Sequence, residues 1–288
     1  MLLITYIKLV ALSLVQDWII FIPHPSGMHK IKEPKEYGLQ DTEDRTLITV
    51  DGETIHYWLK KPASPEKPYI VFFHGNAGHF GDLKSQMTEG NDRGYRLKLI
   101  HDFIDNGYGL IAVSLRGYGK STGKPSEEGF VKDVTAFSEL IKKENYKTII
   151  LGESLGAFSA LTLMGKLENT EQNPSGIVLI APFSSLIEKA YEIHEEFRRF
   201  DAAKYLKYRF DNRKLISESK YKGRILLLHP SDDKTSGAYH SKILQGEGAK
   251  NGVDIKLTIL KNADHVTWDP HLVSKLIFEE FSIVKKDL

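Results

Sequence analysis

Six short apolar runs recur along the chain, and amphipathic stretches of helical length separate most of them. The runs are rich in β-branched residues and show little alternation of polar and apolar side chains: YIVFFHG, GLIAVSLRG, TIILGE, GIVLIAP, RILLLHP and IKLTIL. Continuous apolar runs of this length are typical of strands buried on both faces, as in a parallel sheet covered by helices. The pattern therefore predicts an α/β fold.

A β-hairpin is predicted ahead of the first apolar run. The segment TLITVDGETIHYWLK contains two strand-like halves around Asp51-Gly52, and Asp-Gly is favoured in tight hairpin turns. The chain has 288 residues, of which 41% are hydrophobic and 27% charged, so it is long enough for one large core. We expect one main domain over residues 40–288.

Composition excludes several kinds of chemistry. The chain has no cysteine, which removes disulfides, thiolate metal sites and cysteine nucleophiles. Its 39 lysines and arginines nearly balance its 38 aspartates and glutamates, so the overall charge gives no reason to expect a nucleic-acid partner. The histidines lack metal-ligand spacing, and no Walker-type or dinucleotide-binding glycine motif occurs. We expect neither a metal nor a cofactor.

The segment TIILGESLGAFSA places Ser154 between Gly152 and Gly156, where an apolar run meets a helix-like stretch. A serine hydroxyl becomes a useful nucleophile only when its oxygen is accessible and a base lies beside it. In a Gly-x-Ser-x-Gly elbow the serine occupies a strained strand-to-helix turn, and the glycines leave room around it. We predict that Ser154 is a nucleophile; the alternative is an inert small residue at a helix start.

Such an elbow requires an acid and then a histidine after later strands. His265 follows the run IKLTIL, and we predict that it takes the serine proton and returns it to the leaving group. Two aspartates follow RILLLHP, of which Asp233 is favoured as the residue that orients the histidine ring, with Asp232 as the alternative. The resulting order of Ser, Asp and His is the one that accompanies this elbow.

Acyl transfer also needs an oxyanion hole, which backbone N–H groups supply as fixed dipoles. One predicted donor is the amide of Leu155, directly after the nucleophile. The other is the amide of Asn76, in the small, glycine-rich loop HGNAGHFG after the first central strand.

The interval 184–223 is longer than a single crossover helix needs, and it is rich in aromatic and basic residues. We predict a small helical lid over the site. The alternative is a surface helix pair whose aromatic side chains pack inward while the charges are solvated.

Residues 1–22 form an apolar segment in which Lys8 and Asp17 interrupt any stretch long enough to span a bilayer, roughly 20 residues. The polar side chains fall within one half of a helical wheel: Thr5, Lys8, Ser13, Gln16 and Asp17. This pattern predicts an amphipathic helix in a membrane interface or a short signal-anchor helix. The alternative is a helix or strand packed on the protein's own surface.

With these residues in place, the chain resembles the α/β-hydrolase superfamily. The blocks HGNAG, LRGYGKSTGKPSEEG and GESLG, with the late Asp and His, resemble the bud-emergence-type, serine-aminopeptidase-like hydrolases. The resemblance implies an eight-stranded, mostly parallel sheet and a triad of Ser154, Asp233 and His265. It also implies an N-terminal membrane helix followed by a segment such as QDWIIFIP. The acid loop HPSDDKTSG departs from the usual pattern, which has a glycine after the histidine and a proline after the acid.

These observations favour a serine hydrolase that cleaves an ester, thioester or amide bond through an acyl-serine intermediate. We expect a small-molecule or acyl substrate, with acyl-chain substrates at a membrane surface as the favoured subclass, and a location at a membrane or otherwise in the cytoplasm. Two alternatives remain: an aminopeptidase-like peptide hydrolase, and a non-catalytic binding or scaffold protein on a hydrolase fold.

Overall fold

The computed structural model describes residues 2–23, 31–81, 94–199 and 201–281. In these ranges eight strands form one sheet, in the order β1-β2-β4-β3-β5-β6-β7-β8. The strands are β1 Glu43–Ile48, β2 Thr54–Lys60, β3 Tyr69–Phe73, β4 Gly109–Val113, β5 Thr148–Glu153, β6 Gly176–Ile180, β7 Arg224–Pro230 and β8 Asp254–Leu260. All pairs from β4 to β8 are parallel. The predicted α/β fold with an eight-stranded, mostly parallel sheet is confirmed.

The predicted hairpin is present at one edge of the sheet. β1 pairs with β2 in antiparallel register, and β2 pairs antiparallel with β4. The turn lies at Asp51-Gly52, where Gly52 has a φ of +81° and its amide donates to the carbonyl of Thr49. The first strand begins at Glu43, three residues before the predicted start.

Helices cover both faces of the sheet. Buried side chains of α3, α4, α6 and α7 pack on one face, and those of α2 and α8 pack on the other. The helices that follow the hairpin are α2 Tyr95–Asp105, α3 Glu127–Glu144, α4 Gly156–Leu167, α5 Leu186–Ile193, α6 Asn212–Glu218, α7 Tyr239–Asn251 and α8 Pro270–Phe281. The amphipathic stretch over residues 84–107 lies partly outside the described residues, as does the end of the stretch over residues 267–286.

The strand β8 differs from its prediction. The run IKLTIL was expected to be buried on both faces, but β8 is the edge strand and most of its residues are exposed or half-buried. Lys256 and Thr258 lie within the run, and an edge position explains why polar residues are tolerated there. The aliphatic composition of the run IKLTIL alone did not distinguish an edge strand from a central strand.

The interval 184–223 forms short helices between β6 and β7. It contains α5, two 3₁₀ turns at Glu195–Arg199 and Ala202–Lys204, and α6. Phe197, Leu206 and Phe210 are buried, whereas several of its charged side chains form exposed ion pairs. We call this interval the helical insertion.

The N-terminal helix α1 (Leu2–Ile20) packs on the helical insertion through its polar side. The buried side-chain amide of Gln16 donates to the carbonyl of Tyr205 and accepts from the amide of Lys207, each over 2.7 Å. Asp17 accepts from the Lys207 ammonium and the Tyr208 hydroxyl. The polar half of the wheel is therefore turned toward the protein.

The opposite side of α1 is apolar and exposed. The side chains of Leu14 and Trp18 are 80% and 86% accessible, and further exposed apolar residues flank them: Tyr6, Ile7, Val15, Ile19 and Ile22. We call this surface the outer stripe of α1. Within the described ranges, none of the helices combines the length and the apolar character that a bilayer crossing requires.

Arg116 connects the hairpin turn to α3. Its buried guanidinium donates to both carboxylate oxygens of Asp51 and, over 2.6 Å, to Asp133 of α3. Burial alone would lower the pKa of Arg116, because it disfavours the charged form of a base, but the hydrogen bonds to the two carboxylates outweigh this effect and the pKa is raised. The contacts of Arg116 are therefore structural.

Replacing Arg116 with glutamine should lower the free energy of unfolding by about 3 kcal/mol, because it leaves the carboxylate of Asp133 buried without its cation. Urea unfolding followed by circular dichroism measures the difference. Arg213→Gln is the matched control, because Arg213 forms an exposed ion pair with Glu247. An Arg116→Gln protein no less stable than this control would contradict the prediction.

Candidate active site

Ser154 lies at the turn between β5 and α4, in a backbone conformation that few residues other than glycine adopt. Its φ is +49°, in the left-handed region. A Cβ on Gly152 would lie 2.6 Å from the carbonyl oxygen of Gly156, and a Cβ on Gly156 would lie 2.2 Å from that of Phe73. Both positions therefore require glycine, because a side chain at either would clash with the backbone of α4 or β3.

The structure brings three of the predicted site residues together. Ser154 Oγ lies 3.0 Å from His265 Nε2, and His265 Nδ1 lies 2.7 Å from Asp233 Oδ2. An ionised carboxylate accepts hydrogen bonds, so Nδ1 carries the proton and Nε2 is left to accept from the hydroxyl. This arrangement can transfer a proton from a serine to an imidazole.

Asp233 is fixed by its own loop. Its Oδ1 accepts hydrogen bonds from the amides of Thr235 and Ser236, each over 2.8 Å, and Oδ2 lies 3.5 Å from His229 Nε2. Burial raises the pKa of Asp233, but hydrogen bonds from His229 and His265 outweigh it and hold the pKa well below its usual range. The alternative residue, Asp232, is exposed.

The two predicted oxyanion donors lie in the segments that follow two neighbouring strands, β3 and β5. Leu155 directly precedes α4, so its amide lies at the positive end of that helix. Asn76 lies in the loop after β3, where Ala77 and Gly78 have φ values of +60° and +75°. Among the described residues, neither amide donates a hydrogen bond to another protein group.

Sequence reasoning missed a buried ion pair behind this loop. Glu153, for which no chemistry was predicted, accepts hydrogen bonds from Arg96 Nε over 2.7 Å and Nη2 over 2.9 Å, and from the Tyr95 hydroxyl. Burial raises the pKa of Glu153, but Arg96 and Tyr95 lower it more, so the carboxylate is ionised. A single charge at the end of a strand buried along its whole length is the signal that could have revealed the pair.

The ion pair holds the backbone of the loop after β3. Arg96 donates to the carbonyls of Ala77 over 2.9 Å and Asn76 over 3.3 Å, and the amide of Gly75 donates to Glu153 over 3.3 Å. A Cβ on Gly75 would lie 2.9 Å from a carboxylate oxygen of Glu153, which explains the glycine. We call Arg96 and Glu153 the loop clamp.

The remaining histidines of the region are structural. Burial lowers the pKa of His74 to about 3, and the neutral ring donates to the carbonyl of Gly75 and accepts from the amide of Leu115. His79 is buried and accepts from the amide of Gly81, and His101 Nε2 contacts the carbonyl of Tyr37. Among the described residues, no group of acidic and histidine side chains could hold a metal ion.

Residues 64–246 match the family model of the serine aminopeptidases S33, a group of α/β-hydrolases. The chain belongs to this family. The matched range contains Ser154 and Asp233, and His265 follows it.

Curated relatives of this α/β-hydrolase include lipases. The lysophosphatidylserine lipase ABHD12 of Xenopus tropicalis is 31% identical over 236 residues, covering 70% of this chain and 57% of the relative. The human protein ABHD12B is 31% identical over 202 residues, covering 65% and 51%. The chain therefore spans little more than half the length of these relatives. An esterase of Pyrococcus furiosus shares the fold, with a TM-score of 0.66 at 17% identity over 91% of this chain and 98% of the esterase.

Replacing Glu153 with glutamine should lower the free energy of unfolding by about 3 kcal/mol, because Arg96 would remain buried without a counter-charge. Urea unfolding measures the difference. Glu139→Gln is the matched control, since Glu139 forms an exposed ion pair with Lys142 on α3. Equal stability of the two variants would contradict the prediction.

Proposed function

We propose that the protein is a serine hydrolase that cleaves acyl esters through an acyl-Ser154 intermediate. The observation that carries the proposal is the continuous hydrogen-bond chain from Ser154 through His265 to Asp233, whose members come from three separate loops. An inert serine at a helix start would need neither a left-handed backbone nor a histidine that is itself held by a buried carboxylate.

Acylation begins when Ser154 Oγ attacks the carbonyl carbon of the ester. His265 Nε2 takes the hydroxyl proton, and the carbonyl π electrons move to the oxygen, giving a tetrahedral oxyanion. The amides of Asn76 and Leu155 donate to that oxyanion. The intermediate then collapses, the bond to the alkoxy oxygen breaks, and His265 protonates the leaving alcohol.

Deacylation repeats the same steps with water. His265 removes a proton from a water molecule as its oxygen attacks the acyl carbon, and a second oxyanion forms in the same place. Its collapse breaks the bond to Ser154 Oγ, which regains its proton from His265 and releases the carboxylic acid. Asp233 keeps the ring of His265 in the required tautomer and stabilises the imidazolium in both halves.

Acyl esters are favoured over amino-terminal peptides as substrates. Aminopeptidase chemistry needs a carboxylate available to bind the substrate ammonium, but the carboxylate next to Ser154 in the sequence, Glu153, is committed to Arg96 and Tyr95. Apolar side chains dominate the core beside the nucleophile, among them Leu155, Phe158 and Phe183. The lipase and esterase names of the relatives support the same substrate class.

We further propose that the outer stripe of α1 rests on a lipid surface. Polar side chains of α1 are bound to the helical insertion, so the helix presents its apolar side to solvent, the reverse of an ordinary surface helix. Large exposed apolar surfaces of this kind are typical of membrane or protein contacts. Contact with a membrane would bring the site to acyl substrates that are held in the bilayer.

The catalytic assignment predicts a contrast between two neighbouring aspartates. Asp233→Asn should lower kcat on p-nitrophenyl esters by about 10³- to 10⁴-fold, because the His265 ring loses the partner that fixes its tautomer. Asp232→Asn should leave kcat unchanged, because its side chain is exposed. Ser154→Ala should also lose all labelling by a fluorophosphonate probe.

Two outcomes would contradict this function. Wild-type protein that is not labelled by the probe and hydrolyses no ester would indicate a binding protein on a hydrolase fold. Turnover of aminoacyl anilides in preference to esters of increasing acyl length would indicate a peptide hydrolase.

The membrane assignment predicts that Leu14→Ser combined with Trp18→Ser weakens binding to phosphatidylcholine vesicles by at least about tenfold, because two exposed apolar side chains would no longer enter the lipid. Vesicle cosedimentation measures the binding. Lys8 and Asp17 offset each other in α1, so added salt should change it little.

Leu272→Ser is the control, because Leu272 is an exposed apolar residue on α8, which packs on the other face of the sheet. Equal binding by the double variant, this control and the wild type would rule out the outer stripe as the lipid-binding surface.

A further inference from the structure

The side chain of Asn76 binds the end of α1. Its Nδ2 donates to the carbonyl of Ile20 over 2.7 Å, and its Oδ1 accepts from the amide of Ile22 over 3.0 Å. The same oxygen accepts from the Tyr118 hydroxyl over 2.7 Å. One side-chain amide therefore binds the main chain on both sides of Phe21, as a neighbouring strand would.

The segment that Asn76 binds is anchored from several directions. Phe21 is buried in the main core, with edge contacts to Phe130, Tyr208 and Phe210. Earlier in α1, Leu9 is fully buried against the helical insertion, and Gln16 binds the main chain of that insertion on both sides of Leu206. The end of α1 is thus a fixed body against which a loop can be placed.

Asn76 is consequently held from two sides. The loop clamp binds its carbonyl through Arg96, and the end of α1 binds its side chain. The amide N–H between these two attachments is the group that donates to the oxyanion in the proposed function. Displacing a catalytic group by about 1 Å can cost 10²-fold in rate, so the attachments bear directly on the strength of that donor.

We propose that the Asn76 side chain is a positioning group and that the end of α1 belongs to the active site. The side chain places the Asn76 amide at the oxyanion by binding the main chain of Ile20 and Ile22. The inference rests on the proposed function. It predicts an effect on the transition state, in which the oxyanion exists, and none on the binding of the ground-state ester.

The test uses the full chain with Asn76→Ala, which removes all three side-chain bonds, and Tyr118→Phe, which removes one. Asn251→Ala is the matched control, because Asn251 Nδ2 donates to a helix carbonyl, that of Glu247, at an exposed site. The measurements are kcat and KM on a p-nitrophenyl ester, the rate of fluorophosphonate labelling, and the inhibition constant of a trifluoromethyl ketone, whose adduct with serine carries an oxyanion.

Asn76→Ala should lower kcat by at least about tenfold, short of the 10²- to 10³-fold caused by losing an oxyanion donor altogether. KM should stay within about twofold, and the ketone should bind more weakly by the same factor as kcat falls. Tyr118→Phe should lower kcat by a smaller factor, again with KM nearly unchanged, and Asn251→Ala should change neither kcat nor KM. Thermal unfolding checks that each variant is folded.

Each other outcome has one meaning. If the probe labels all variants at the wild-type rate and kcat does not change, the inference is overturned and the proposed function stands. A raised KM with unchanged kcat would make Asn76 a substrate-binding residue and would also overturn it. Absence of labelling in the wild type would overturn the proposed function and the inference together. If Asn76→Ala does not fold, Tyr118→Phe decides by the same criteria.

Discussion

The close approach of α4 to β3 is the constraint on which the site depends. Gly156 passes so near the carbonyl oxygens of Phe73 and His74 that no side chain fits between them. That contact places the first turn of α4 directly behind the loop that follows β3, next to Ser154 in its left-handed conformation. Because β3 and β5 are parallel neighbours in the sheet, Ser154 and Asn76 follow strands that end at the same edge.

A buried ion pair then fixes the backbone of the loop that follows β3. Glu153 and Arg96 lie behind the loop, and removing either partner would leave the other charge buried without its counter-charge. Here the geometry includes two main-chain carbonyls, of Asn76 and Ala77, which Arg96 binds. Hydrogen bonds also fix the acid loop. Two main-chain amides bind Oδ1 of Asp233 and leave Oδ2 to accept from His265.

The sequence predicted features that depend on local pattern or on chain order. The Asp51-Gly52 turn, the parallel strands and the candidate triad all follow from short motifs whose positions along a parallel sheet determine which edge they reach. It did not predict the pair of Glu153 with Arg96, because their side chains meet across elements separated by residues 97–152. It also left the orientation of α1 open, since a helical wheel shows which residues share a face but not which face meets the protein.

The orientation of α1 depends on which of its two sides, polar or apolar, packs on the protein. Its polar side chains find fixed partners on the helical insertion, where the main chain around Leu206 offers a donor and an acceptor to Gln16. Water would satisfy the hydrogen bonds of those side chains equally well, so they determine the orientation of α1 more than the free energy of its docking. The favourable free energy comes from burying the apolar side chains of Leu9 and Phe21. Exposure of the apolar outer stripe is then unfavourable in water, and its burial against lipid would be favourable. A helix arranged in this way joins its exposed apolar surface to Asn76, in the loop that follows β3.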